Sequence, residues 1–160
     1  MRTLVPRVVG QRAARRSTAV RRSSDWTEGE FFEALVADGE DLAPVARSLL
    51  DWGHRAPRHI RWGAGKHKGH FHVWIPAPNE KDCKLVSVAT TGQVRVHLHL
   101  LRKAGFPDDR VEAVLKKLNT IPGVSHPDSA ITGMPAMHLS LLSDHAVQRK
   151  LLQILEEVTQ

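Results

Sequence analysis

The stretch His70-Phe71-His72-Val73-Trp74-Ile75-Pro76 decides the fold. Apolar side chains at positions 71, 73 and 75 alternate with His70, His72 and Trp74, the period of two expected of a strand with one buried face. The same period recurs at 59–63, 84–90 and 94–101, and Thr91-Gly92-Gln93 supplies a short turn between the last two stretches. An antiparallel four-stranded meander is the simplest arrangement. In it Phe71, Val73 and Ile75 share the core face with Val94, Val96, Leu98 and Leu100, while His70, His72 and Trp74 lie opposite with Arg95, His97 and His99.

Outward from the sheet the period changes to that of helices. Thr27 followed by Glu30 has capping-box spacing, and Phe31, Phe32, Leu35 and Val36 form one apolar face that Ala37-Asp38-Gly39 ends. Leu42, Val45, Ala46, Leu49 and Leu50 predict a second helix running to about Gly53, with Pro44 in its first turn. Downstream, Asp108 is placed to cap a helix with the stripe Val111, Val114, Leu115 and Leu118. Ser143 is placed to cap a last one carrying Val147, Leu151, Ile154, Leu155 and Val158. Between them, a loop at 119–135 leads to a short extended piece at 136–141. The order implies an α+β fold: a four-stranded antiparallel sheet with two N-terminal and two C-terminal helices packed on one face.

The charge is unevenly spread. The chain has 160 residues and a net charge of +6, but its first 22 residues hold seven arginines and no acid. Removing them leaves 16 basic against 17 acidic side chains, so the basic character belongs to the tail. Residues 1–24 are expected to be an Arg-rich tail, and 25–160 a single domain. Such a tail, with Arg12, Arg15, Arg16, Arg21 and Arg22 at its centre and end, suits nucleic-acid phosphates; it equally suits a transit peptide or a solvated leader. The lone Cys83 forms neither an internal disulfide nor a cysteine zinc site, and no apolar run approaches the roughly 20 residues of a membrane span. The expectation is a cytoplasmic chain with no membrane partner.

Several groups carry chemistry. The loop Gly63-Ala-Gly-Lys-His-Lys-Gly69 brings glycines beside Lys66 and Lys68, a phosphate-cradling composition, although it lacks Walker spacing and precedes a strand. His70-x-His72 and His97-x-His99 each put two imidazoles on one strand face. With another strand between them the pairs stand about 9.5 Å apart, so a shared metal would need a small residue between them. No metal and no cofactor are expected. His138-Leu-Ser-Leu141 resembles one half of the histidine-x-serine pattern of two-histidine phosphoesterases, and the other half is missing. Trp26 and Trp52 belong beside helix stripes. Trp62 and Trp74 are instead expected on the exposed sheet face near the cations, where an indole suits a base or a nucleotide.

Further pieces follow a recognisable pattern: Trp26-Thr27, Trp62-Gly63-Ala64-Gly65-Lys66 with Gly69, Thr91-Gly92, Leu118-Asn119-Thr120-Ile121-Pro122-Gly123-Val124, and the run 135–142. In these the chain resembles a bacterial module, without an assigned activity, that occurs free-standing or beside restriction-type and nuclease-like proteins. The resemblance covers roughly 25–158, supplies no catalytic residues, and implies a place in DNA metabolism or defence. The chain departs from the pattern at His70, His97 and His99, where smaller or amide side chains are expected. The expected function is an accessory module binding nucleic acid or another anionic partner. The ligand should lie among Trp62, Lys66, Lys68, His72, Trp74, Arg95, His97 and His99. The alternatives are a small histidine-dependent hydrolase or metalloenzyme, told apart by metal analysis, and a protein-binding adaptor, told apart by copurification.

Overall fold

A computed structural model describes residues 25–37 and 41–159. The arginine tail, including Arg12, Arg15, Arg16, Arg21 and Arg22, and the Asp38-Gly39 turn lie outside the described residues. Helix α1 (Glu28–Val36) begins with the expected capping box: Glu30 N–H donates to Thr27 Oγ1 at 3.3 Å, and Thr27 N–H donates to Glu30 Oε2 at 2.9 Å. Helix α2 (Ala43–Gly53) carries its proline in the first turn and buries Val45, Ala46, Leu49, Leu50 and Trp52.

The sheet has five strands, β1 (His59–Trp62), β2 (His70–Pro76), β3 (Asp82–Ala89), β4 (Gln93–Val96) and β5 (Ala136–His138), in that spatial order and antiparallel throughout. The expected four-strand meander is therefore one strand short. The extended piece after the long loop pairs with β4, placing Ala136 opposite Arg95 and His138 opposite Gln93. Gly92 makes the β3–β4 turn at φ +87°, a conformation that disfavours any side chain.

The fourth strand is also shorter than its alternation implied. It ends at Val96, and residues 98–103 form helix α3 (Leu98–Lys103). Leu98 and Leu101, three apart, are both fully buried, whereas Leu100 is only half-buried; apolar residues at 98, 100 and 101 satisfy either period, and packing selected the helical one. A bulge marks the same place: Val73 pairs with Val86 but Trp74 with Lys84, leaving Leu85 as the extra residue, whose carbonyl accepts from His97 N–H at 2.8 Å.

Two helix starts differ from expectation. Helix α4 (Asp108–Leu118) has Pro107 at its N-cap, and Asp108, now inside the first turn, pairs with Arg102 at 3.0 Å. Helix α5 (His145–Val158) is capped by Asp144, whose carboxylate accepts from Ala146 N–H at 2.8 Å, because Ser143 is taken up in a 3-10 turn. The core lies between the helices and one sheet face, where Phe71, Val73, Ile75, Val86, Val88, Val94 and Val96 are fully buried. None of the helices is long and apolar enough to cross a membrane among the described residues.

Candidate functional site

The other sheet face is a grid whose rows follow from the register. One row reads Arg61, His72, Ser87, Arg95, Ala136 across the five strands. The next runs from His59 through Trp74 to Lys84. Alternation, reset in β3 by the bulge at Leu85, turns the members of these rows away from the core. Arg61 lies 4.0 Å from the centre of the Trp74 ring, His59 stacks near it, and Lys84 stands 5.9 Å from it. The indole is thus flanked by cations, as its exposed-face reading requires.

Ser87 is the small residue between the two histidine strands. Its Oγ lies 2.7 Å from His72 Nδ1 and 2.6 Å from His97 Nε2. Instead of sharing a metal, the two imidazoles share one hydroxyl. A hydroxyl has one proton, so one imidazole accepts it and the other donates. Nδ1 of His97 is buried without a partner. A lone acceptor is tolerated better there than a lone N–H, which favours His97 Nε2–H donating to Ser87 and Ser87 donating to His72 Nδ1. Among the described residues no three His, Cys, Asp or Glu side chains converge as a metal site.

These histidines are held neutral. Burial, followed by the charges of Lys84 and then His70, pushes His72 down to about 4. Burial, then Lys84 and lesser contributions from His99, His72 and Arg95, pushes His97 down to about 3. His70 is lowered by burial, then Arg95, Lys68 and Lys84, against a smaller raising contact with the backbone of Lys68. No carboxylate acts on any of the three. Among the described residues Lys68, Lys84 and Arg95 have no ion-pair partner, while Arg61 reaches Asp82 at 3.5 Å, so the balance of this face is positive.

The residue set expected from the sequence divides. His72, Trp74, Arg95 and His97 do meet on the polar face, and Lys68 stands at its margin, close enough to act on His70. Trp62 does not: with Ile60 two residues before it, it faces the core, its ring 5.7 Å from Phe31 and 5.6 Å from Phe71. The alternation Ile60, Trp62 carried that signal. His99 leaves the sheet with α3, and its Nδ1–H donates to the Gly133 carbonyl at 3.2 Å.

The glycine loop has a structural occupant. Trp26 donates its indole N–H to the Gly65 carbonyl at 2.6 Å and its backbone N–H to Gly63 at 2.9 Å. A Cβ on Gly69 would stand 2.4 Å from the Trp26 ring. The glycines thus seat a tryptophan, which leaves Lys66 and Lys68 exposed on the loop's outer side. His138 sits on β5 and bonds Ser140 beside it, at 2.9 Å.

Ser87 is the functional-face residue that sequence reasoning misses. Its signal is a lone hydroxyl in the apolar run 85–89, at a strand position facing the histidines. Compared with known proteins, the chain matches no family model, no curated protein and no solved structure. The geometry of the polar face therefore carries the functional reading by itself.

Proposed function

We propose that the polar sheet face binds an anionic chain, single-stranded nucleic acid first among them. The observation that carries this reading is the set Lys84, Arg95 and Lys68, none of them ion-paired among the described residues, around neutral histidines, with Arg61, which also reaches Asp82, at the edge. Arg61 to Arg95 spans three strand spacings, about 14 Å, enough to follow several phosphates. Trp74 offers an aromatic wall on which a base can stack, a contact worth about 1–3 kcal/mol per base. The Arg-rich tail would add sequence-independent phosphate contacts.

Fluorescence anisotropy of the full chain with single-stranded DNA and RNA, over a salt series, tests it. Arg95→Ala with Trp74→Ala should leave thermal unfolding cooperative and remove most binding. Deleting residues 1–22 separates the tail: if binding and its salt slope vanish with the tail alone, the face is not the site. A double variant that binds normally overturns the reading outright.

One observation favours a second reading, a small serine-dependent hydrolase: Ser87 Oγ sits within hydrogen-bond reach of two neutral imidazoles beside Arg95. Against it, Ser87 is only 5% exposed and His72, held near 4, is a weak base at neutral pH. A fluorophosphonate probe decides. Attack would bond Ser87 Oγ to phosphorus, release fluoride and pass the hydroxyl proton to His72 Nδ1. An unlabelled Ser87 after prolonged incubation removes this reading.

A further inference from the structure

At one end of the polar face the β2–β3 turn, the start of β3 and α3 border a shallow, open cleft of about 200 Å³. Trp74 forms a wall, and Leu100 and Ala104 contribute an apolar floor. Lys81, Lys84 and Lys103 reach the cleft from the turn, from β3 and from α3. The turn is tied to the helix by Asn79 N–H donating to the Ala104 carbonyl at 3.1 Å, so two sides of the rim are held together.

The charge here is unbalanced. None of the three lysines forms an ion pair among the described residues. The one acid in the lining, Asp82, has its Oδ2 engaged by Arg61 at 3.5 Å and His59 at 3.4 Å. The Trp74 indole N–H is buried and has no acceptor. The uncommitted side-chain groups of the lining are mostly donors, the three ammonium groups and the Trp74 indole N–H against the single Asp82 carboxylate, and an oxyanion is the chemistry that would meet the lysines together.

We infer that this cleft binds a phosphomonoester, its dianion among the three lysines and its organic part against Trp74 and the apolar floor. A monoester, with a second pKa near 6, carries between one and two negative charges at neutral pH, against the single charge of a backbone diester. Three lysines against one committed aspartate match the greater charge. The volume is below the roughly 300–1,000 Å³ of drug-sized pockets and suits a small ligand or the end of a larger one. The phosphate could belong to a free nucleotide or to the end of a strand lying over the polar face, since Trp74 and Lys84 belong to both sites. The inference does not rest on strand binding.

The test uses the full chain labelled with nitrogen-15 and follows the Trp74 indole N–H resonance, assigned through Trp74→Phe. Inorganic phosphate is titrated against chloride at constant ionic strength. The expected result is a saturating displacement of that resonance, weakened at least tenfold in Lys84→Met with Lys103→Met, whose preserved amide dispersion reports an intact fold. A displacement that fails to saturate, or that is unchanged in the double variant, overturns the proposal. Adenosine monophosphate binding at least tenfold more tightly than adenosine supports it, and equal binding of the two overturns it. An oligonucleotide with a 5′-phosphate that outcompetes the monophosphate assigns the site to strand ends; the reverse order assigns it to free nucleotide. Phosphate saturation without any oligonucleotide binding keeps the cleft and removes the strand reading, so the two fail separately.

Discussion

Among the described residues the cations of the helical side and of the polar face differ in their partners, the Arg61–Asp82 pair of the polar face aside, and the contrast separates scaffold from site. On the helical side several are matched. Arg58, buried between β1 and the helices, donates to Glu156 at 2.6 Å and to the Trp52 carbonyl at 2.9 Å, and its guanidinium lies 4.3 Å from the Trp52 ring centre. Arg47 pairs with Glu28, Arg102 with Asp108 at 3.0 Å and Lys117 with Glu157 at 2.6 Å. Each of these pairs joins segments that would otherwise part, such as α5 to α2 or α4. On the polar face, Arg95 finds only the neutral amide of Gln93, at 2.7 Å, and Lys84 lies among imidazoles and an indole. A cation that already has its carboxylate has little to offer a ligand. One held among neutral groups keeps its charge available.

The sharpest way to break this comparison is at Arg58. Arg58→Ala leaves the Trp52 carbonyl without its donor and removes a buried guanidinium that packs on the Trp52 ring, and should cost about 2 kcal/mol; half-exposed Glu156 is left to water. Arg95→Ala should stay within about 0.5 kcal/mol, as an exposed side chain with no ionic partner. Urea unfolding of both checks the ranking, and equal losses would erase the distinction.

Acid should act next, on the polar side foremost, with a small addition from exposed Asp108, whose carboxyl Arg102 holds below its usual range. His72 and His97 titrate near 4 and near 3 in the fold but near 6.5 when unfolded. Between those values the unfolded chain binds more protons, so stability rises with pH there. The contribution is complete above about pH 6.5 and is lost as pH falls toward 4 and then 3. Melting temperatures measured from pH 7 to pH 4 should therefore fall, and His97→Gln should flatten that fall. An unchanged slope would mean that the Ser87 chain is not what acid attacks.

Binding should discriminate more finely. Arg95→Ala is expected to weaken single-strand binding about tenfold and to reduce the logarithmic salt slope by about 0.7 for each single-strand phosphate that the guanidinium neutralises. Arg102→Ala, which removes the same positive charge, should change affinity less than about twofold, because that charge is already balanced by Asp108. Equal effects would reduce the reading to net charge. The smallest effect concerns Cys83, whose thiol burial pushes up to about 11. Its alkylation by iodoacetamide at pH 8 should be far slower than that of a free thiol, with no effect on binding.

Much of this is legible in the sequence, in specific places. The strand 70–76 can be read to its observed ends, and its two faces are those expected. The Thr27–Glu30 box and the stripes of α2, α4 and α5 are likewise visible, since each depends on neighbours within one or two turns. The caps are harder to read: Asp108 and Ser143 are both acceptable capping residues, and a proline and an aspartate next to them took the positions. The glycine loop is legible as a close approach of backbone to something flat. That something is Trp26, 39 residues away from the carbonyl it bonds, and not a phosphate.

The sequence by itself determined which side chains travel together along β1, β2 and β4, because alternation is a property of the extended backbone; in β3 the bulge at Leu85 breaks it. It also determined that residues 23–160 are nearly neutral and the tail is not. Only the tertiary structure decided that 136–138 adds a fifth strand, that the chain leaves the sheet after Val96, and that Phe31 and Phe71 are the partners of Trp62. Only it placed Ser87 between His72 and His97, and three lysines from separate elements around Trp74. The physical reason is the same in each case. Local periods describe one segment's faces, while register, bulges and packing between segments distant in sequence determine which faces meet.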